Sequence, residues 1–315
     1  MNKSLLSARL RAFITFFALI CLLVGLWQIY YKQTGNFQVK NLSYDKALPV
    51  VSDGIPPLSA AEKADLDKIL SQPFQYLAKG NQTYVFMSAD KKYVLKLFKF
   101  SHLQTAWWQN LYLSLPFLDT YRTERAESQQ KRLKRVFEGH RVAYLYDKEN
   151  TGLVYIHLSH THDLNKIVNL QDGIGRTYAL NLDDYIFAVQ HAGVTTQALF
   201  RQLLDKGDVE AVKKHLDQLF DLYVTEYQQG LLDQDKNLMI NTGFIDGKAA
   251  RLDAGKLTLD PSIKDVDNQK ADMKRLLIER VDRWFKKNYP KVQQQMREEM
   301  QRKYQDVYGE SLTYP

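Results

Sequence analysis

The sequence predicts an α+β protein carried by one membrane-spanning helix. Three observations predict it: an uncharged apolar run near the N-terminus, a strand-rich first half, and a helix-rich second half. Strands gathered before helices favour an α+β arrangement over an alternating α/β one. With 315 residues, 45% of them hydrophobic, the chain can bury one two-lobed domain or two small ones.

The apolar run "AFITFFALICLLVGLWQIYY", Ala12 to Tyr31, has about the length of a bilayer-spanning helix. Lys3, Arg9 and Arg11 precede it, and Trp27, Tyr30 and Tyr31 fall where an interfacial aromatic belt forms. A cleaved signal peptide is the competing reading, but the run is long for one and no A-x-A-like site follows. The positive-inside rule then puts the N-terminus in the cytoplasm and the C-terminal domain on the opposite side, although Lys32, Lys40 and Lys46 pull against that orientation. Cys21 is the only cysteine, so no disulfide forms within the chain. The net charge of +7 is spread without a long basic run, which suits a solubilising surface, and no nucleic-acid partner is expected.

Residues 33–58 read as a polar juxtamembrane linker ending in Pro56-Pro57. Ser59 then suits the cap of a short helix. "YLAKGNQTYVFMSADKKYVLKLFKF" alternates as strands do, with turns at Lys79-Gly80-Asn81 and Ala89-Asp90. "WWQNLYLSLPFLDTY" is apolar enough for a packed insertion, and a charged helical pattern runs from Arg122 to Asp147. Strands follow in "TGLVYIHLS", in "NKIVNLQDG" with "RTYALNL", and in "DYIFAVQHAG", the middle pair joined by a turn at Asp172-Gly173. Helices dominate beyond Gly193, where Leu216, Leu219, Phe220, Tyr223 and Tyr227 recur at helical spacing. His157, His160 and His162 lack the additional ligands of a zinc site and read as surface or packed residues, with His160 and His162 on one strand face.

Acids and amides then crowd "GLLDQDKNLMINTGFIDGKAARLDAGKL", residues 230–257. Buried polar groups need partners, and a divalent cation is one such partner. Asp246-Gly247 makes a hairpin turn that brings the flanking Asn and Asp to the same end. Within the earlier strand "YVLKLF", Lys96 stands among apolar neighbours and needs an anion if both faces are covered. "GIGRTY", residues 173–178, joins two strands rather than opening a helix, so it is a hairpin turn and not a phosphate loop.

In this order of parts, from about Phe74 to Gly255, the chain resembles the protein-kinase-like superfamily, in particular its bacterial small-molecule and lipopolysaccharide kinase branch. The resemblance implies a two-lobed fold with an antiparallel-sheet N-lobe and a helical C-lobe. The expected divisions are a membrane anchor at 1–32, a linker at 33–65, an N-lobe at 66–192 and a C-lobe at 193–315. It implies that Lys96 contacts the nucleotide phosphates and Gly80 marks a glycine-poor nucleotide loop. Glu124, Glu127 or Glu138, with Glu138 preferred, would pair with Lys96. Backbone groups near Gln190 to Ala192 would meet adenine. Asn241, rather than Asn237, and Asp253 of "DAG" would hold Mg²⁺ against ATP, with Asp235 as the base and Asp233 as its alternate. No A-P-E segment appears after Gly255, so the expected acceptor is a hydroxyl of a small molecule, glycan or lipid rather than of a protein. A pseudokinase, a nucleotide-binding or scaffolding module at the membrane, is the alternative.

Overall fold

A computed structural model describes residues 3–44, 48–49, 51, 54–101, 119–235 and 237–314. Trp107 to Leu118, most of the stretch expected as a packed insertion, lies outside the described residues. Helix α1 spans Lys3–Thr34, and its Leu10–Thr34 portion is long and apolar enough to cross a membrane. Helix α2, Ala60–Leu70, opens with the capping box expected at Ser59: Glu62 N–H donates to Ser59 Oγ, and Ser59 N–H to Glu62 Oε2.

Among the described residues seven strands form one sheet in the order β4-β7-β3-β2-β1-β5-β6. Their spans are β1 Phe74–Lys79, β2 Thr83–Ser88, β3 Tyr93–Phe98, β4 Leu153–His157, β5 Ile167–Gln171, β6 Thr177–Asn181 and β7 Phe187–His191. The sheet is mixed rather than purely antiparallel as expected, because β1 and β5 pair in parallel, Phe74 opposite Leu170. Helix α3, Asp119–Tyr146, packs against β4 and against the segment Leu257–Leu259. Its Leu133, Val136 and Phe137 pack with Phe98, Ala254 and Leu257, each buried side chain contributing about 1.5–3 kcal/mol. That stripe outweighs a helix whose remaining surface is charged.

The C-terminal helices bury a separate apolar cluster. They begin with α5, Thr196–Asp205, and α6, Val209–Gln229, whereas the single turn α4, Lys148–Thr151, precedes β4. Leu216, Leu219, Phe220, Tyr223 and Tyr227 form the inward stripe of α6 as their spacing requires, against Met273, Phe285, Met300 and Tyr304. Strand β8, Val194–Thr195, pairs with β10, Thr242–Ile245, which pairs with β11, Lys248–Arg251. Asp246 and Gly247 both take positive φ, 49° and 78°, the geometry of a two-residue hairpin turn. Strand β9, Leu231–Asp233, pairs with β12, Leu257–Leu259, closing the loop that holds the acids.

Several expectations need correction. Phe37 and Leu42, inside the stretch read as a polar linker, are core residues at 1% exposure each. Val51 is core as well, and apolar side chains scattered this irregularly through a polar segment give no periodic signal. Lys99, just after β3, is a buried lysine that donates to the Gly80 carbonyl at 2.6 Å, although a lysine beside an alternating strand ordinarily faces solvent. His160 and His162 follow the end of β4 in a bend, so they share no strand face. His157 is a packed residue whose ring nitrogens bond Tyr185 O and Thr161 Oγ1.

Candidate active site

A cleft of about 1110 Å³ separates the sheet from the acidic loop and is roofed on one side by α3. The β3 side contributes Lys96, which alternates with the core residues Leu95 and Leu97 and so points away from them. Its ammonium donates to the carbonyl of Leu252. Burial pulls its pKa below the ordinary lysine value, while the facing Asp253 carboxylate opposes that pull.

The hairpin supplies the opposite wall. Helix α7, the single turn Leu238–Asn241, ends where β10 begins, and the Asn241 carbonyl accepts the N–H groups of Leu252 and Asp253 at 2.8 and 3.0 Å. That pair of hydrogen bonds pins residue 253 beside residue 241. The Asn241 side chain is 6% exposed, and its Nδ2 has no hydrogen-bond partner among the described residues. An unmatched buried N–H donor costs about 1–3 kcal/mol, so its retention in a cleft wall fits an acceptor such as a phosphate oxygen, while only the amide oxygen of Asn241 could meet a cation. Asp253 Oδ1 accepts Gly255 N–H at 3.1 Å, which fixes the carboxylate at the mouth of the Asp-Ala-Gly turn. Among the described residues no group of three or more His, Cys, Asp or Glu is arranged for a metal. One amide and one carboxylate do fit a hard cation whose remaining ligands are phosphate oxygens and water.

Asp235 also lines the cleft, and its Oδ2 lies 3.0 Å from Lys256 Nζ. Asp233 does not line it. Its Oδ2 meets Arg251 Nη1 at 2.5 Å, while its Oδ1 accepts Asp235 N–H at 2.7 Å. Burial pushes the Asp233 carboxyl up to about 6 and Arg251 opposes, leaving it ionised at neutral pH. Asp233 therefore serves an ion pair and the Asp235 backbone, away from the cleft that Asp235 lines. Arg251 itself is fully buried, bidentate to Glu226 at 2.7 and 2.5 Å and 5.1 Å from the Tyr223 ring centre. It locks α6, β9 and β11 together two residues before Asp253. The sequence carried a faint sign of it: a cation directly after two alanines at the end of a short strand, with acids on the preceding elements.

Three other expectations are redirected. Glu138 pairs with Arg141 at 2.8 Å and lies off the cleft. Val136 and His140, about 160° around α3 from it, face the cleft, as do Arg135 and, nearer the mouth, Glu124 and Glu127. Among the described residues no α3 glutamate pairs with Lys96. His140 occupies that depth instead: Nδ1 must donate to the Val136 carbonyl at 2.9 Å, and burial lowers its pKa, so Nε2 is a neutral acceptor. Gly80 lines the cleft, but its N–H is spent on Thr83 O at 2.9 Å and is not available to a phosphate. Ala192 N–H is likewise spent on Lys92 O at 2.8 Å; the cleft edge there is Gln190, His191 and Gly193. The Gln190 amide donates to Thr151 O and Arg251 O, tying β7 to the hairpin.

Gly139 explains how α3 reaches this region. A Cβ at this position would lie 2.4 Å from the Ala254 carbonyl oxygen, so only glycine lets the helix touch the Asp-Ala-Gly turn. Neither this close approach nor the cations Lys131, Arg132 and Arg135 along the cleft mouth were found from the sequence.

No family model matches the chain, and no curated protein matches it. Solved structures do. A crystal structure of WbdD matches at 15% identity and TM-score 0.36, covering 65% of this chain and 37% of that one. A structure described as the bifunctional kinase-methyltransferase WbdD matches at 14% and 0.34, covering 62% and 34%. The complex of Rv3197 with erythromycin, from Mycobacterium tuberculosis, matches at 15% and 0.32, covering 91% and 75%. The chain thus spans little more than a third of the WbdD chains it matches. With TM-scores this low the overlays carry no argument about the site. In the order of its own parts, a strand lysine, a charged helix, a hairpin and an Asp-Ala-Gly turn, the chain resembles the protein-kinase-like superfamily as a divergent example.

Proposed function

We propose that the chain is a membrane-anchored, two-lobed kinase-like phosphotransferase that moves the γ-phosphoryl group of Mg-ATP to a hydroxyl. The acceptor class is a small molecule, glycan or lipid. The observation that carries this reading is the opposition of Lys96 and Asp253 across one cleft, with the unmatched Asn241 amide beside them. In this reading the anchor is residues 1–32 and the lobes are 66–192 and 193–315, with 33–65 a packed connection rather than a slack linker.

Each group has a task in this reading. Lys96 leaves the Leu252 carbonyl to contact the nucleotide phosphates. Asn241 and Asp253 would hold Mg²⁺, which when bound neutralises charge on the phosphate oxygens. Asp235, oriented by Lys256 and by its backbone bond to Asp233, accepts the proton of the acceptor hydroxyl. Lys131, Arg132 and Arg135 offer further positive charge where phosphates enter. Catalysis then consists mainly of positioning and charge neutralisation.

A second reading, a nucleotide-binding module without turnover, is favoured by two observations: the Gly80 N–H is already spent, and no α3 glutamate pairs with Lys96 among the described residues. Thermal unfolding with and without Mg-ATP tests both, because a ligand of the native state raises its stability. Stabilisation together with ATP turnover that is lost in Asp253→Ala supports the enzyme; stabilisation without turnover supports the second reading; no stabilisation excludes both.

A further inference from the structure

The joint between α1 and the sheet is built, not slack. A Cβ on Gly173 would lie 1.9 Å from the Gln33 carbonyl oxygen, so the β5–β6 turn rests directly on the end of α1. Thr34 is fully buried, and Phe37 sits among the rings of Tyr84, Phe86 and Tyr178 at 5.0–5.1 Å. Tyr84 donates to the Asn36 carbonyl at 3.0 Å. On the neighbouring strand, Lys79 Nζ donates to Tyr31 Oη at 2.7 Å and lies 4.5 Å from its ring centre.

Tyr31 is near the end of the 25-residue apolar portion of α1. At about 1.5 Å per residue that portion is longer than a bilayer's hydrocarbon core, so Tyr31 falls in the headgroup region once α1 spans. Lys79 must then stand at the same depth. Yet Leu77, Lys79 and Gly80 also line the cleft. Parallel pairing of β1 with β5 sends the end of β1 and the β5–β6 turn to the same sheet edge. That edge exposes Leu77 at 51% and Ile174 at 41%, flanked by the exposed cations Lys79 and Arg176. Exposed apolar side chains between cations are what an anionic headgroup layer accommodates.

We propose that the edge formed by Leu77, Lys79, Ile174 and Arg176 rests on an anionic lipid surface, so that the cleft opens toward the headgroups and its acceptor is a hydroxyl carried by a membrane lipid. This rests on the phosphotransferase reading for the acceptor and on α1 spanning the bilayer for the pose. The test uses the full chain in vesicles of phosphatidylcholine with phosphatidylglycerol. Single cysteines are placed at Leu77→Cys, Ile174→Cys and Val307→Cys on a Cys21→Ser background, each carrying a polarity-sensitive fluorophore. A headgroup spin-labelled lipid is expected to quench positions 77 and 174 severalfold more than 307. Equal quenching at all three overturns the proposal. In the native chain, labelled Cys21 must be quenched by an acyl-chain spin label; if it is not, the anchor is wrong and the pose falls with it. With γ-phosphate-radiolabelled ATP and vesicles of native membrane lipid, label is expected in the lipid extract, and label only in water-soluble product overturns the acceptor class. Quenching at 77 and 174 without any Mg-ATP stabilisation leaves the membrane surface standing and removes the phosphotransferase reading instead.

Discussion

Lys96 on β3 donates to the carbonyl of Leu252, the residue before Asp253 and 156 positions along the chain. A desolvated ammonium needs such an acceptor when no phosphate is present, and the same contact registers the sheet against the hairpin. Lys96→Met should therefore remove the contact to phosphate while leaving the apolar strand intact. Turnover is expected to fall by about 10²-fold or more, and the stabilisation by Mg-ATP to shrink, in a steady-state assay paired with thermal unfolding. Lys96→Arg should not rescue either readout, because a planar guanidinium does not replace a compact ammonium in a closed cleft.

Gly139→Ala sets two effects against each other. Helix propensity alone favours the alanine by about 1 kcal/mol. The added Cβ, however, would meet backbone atoms of Ala254 and Gly255 that cannot rotate away. Overlap should win: the variant is expected to be less stable than wild type and to bind Mg-ATP several-fold more weakly, as read by calorimetry. A gain in stability with unchanged binding would show that α3 does not press on the Asp-Ala-Gly turn.

Arg251 is the only cation meeting both Glu226 and Asp233 among the described residues, and all three are buried. Arg251→Met leaves two uncompensated carboxylates and is expected to cost about 3–5 kcal/mol in urea denaturation. Arg251→Lys should recover little, since one ammonium cannot reproduce the bidentate contact with Glu226.

Asp147 lies between α3 and α4. Burial, and next the nearby Glu226 carboxylate, push its pKa up to about 8, while its Oδ2 has no hydrogen-bond partner among the described residues. The folded chain thus holds a proton that the unfolded chain releases near the ordinary carboxylate value. The unfolded state binds fewer protons between those two values, so stability should fall as pH rises from about 4 to about 8, by at most about 1.4 kcal/mol per pH unit. Asp147→Asn, which is neutral throughout and can keep accepting from Asn150, should flatten that part of the curve in denaturation measured across pH.

What the sequence made legible follows the range of the rule involved. The Ser59 cap, the Asp246-Gly247 turn and the α6 stripe depend on residues a few positions apart, and all three stand where expected. The meeting of Lys96, Asn241 and Asp253 at one cleft was accessible because strand alternation and a two-residue hairpin fix directions locally. Glu138 meets Arg141 along the helix, and which glutamate of a charged helix turns to a neighbour is not fixed by local spacing. The contact of Asp233 with Arg251 was not legible, because it is a tertiary fact spanning 18 residues. The parallel β1–β5 pair and the burial of Phe37 belong to the same class: each depends on a neighbour that sequence distance hides.

The most direct measurement is calorimetric titration of ATP with and without Mg²⁺ into wild type, Asn241→Ala and Asp253→Asn. Wild type is expected to bind ATP more than tenfold more tightly with Mg²⁺ present, and each variant to lose that Mg²⁺-dependent gain while remaining folded. Wild type that binds no nucleotide, or Asp253→Asn that keeps the full Mg²⁺ effect, would contradict the convergence of Lys96, Asn241 and Asp253 on one metal-bound nucleotide.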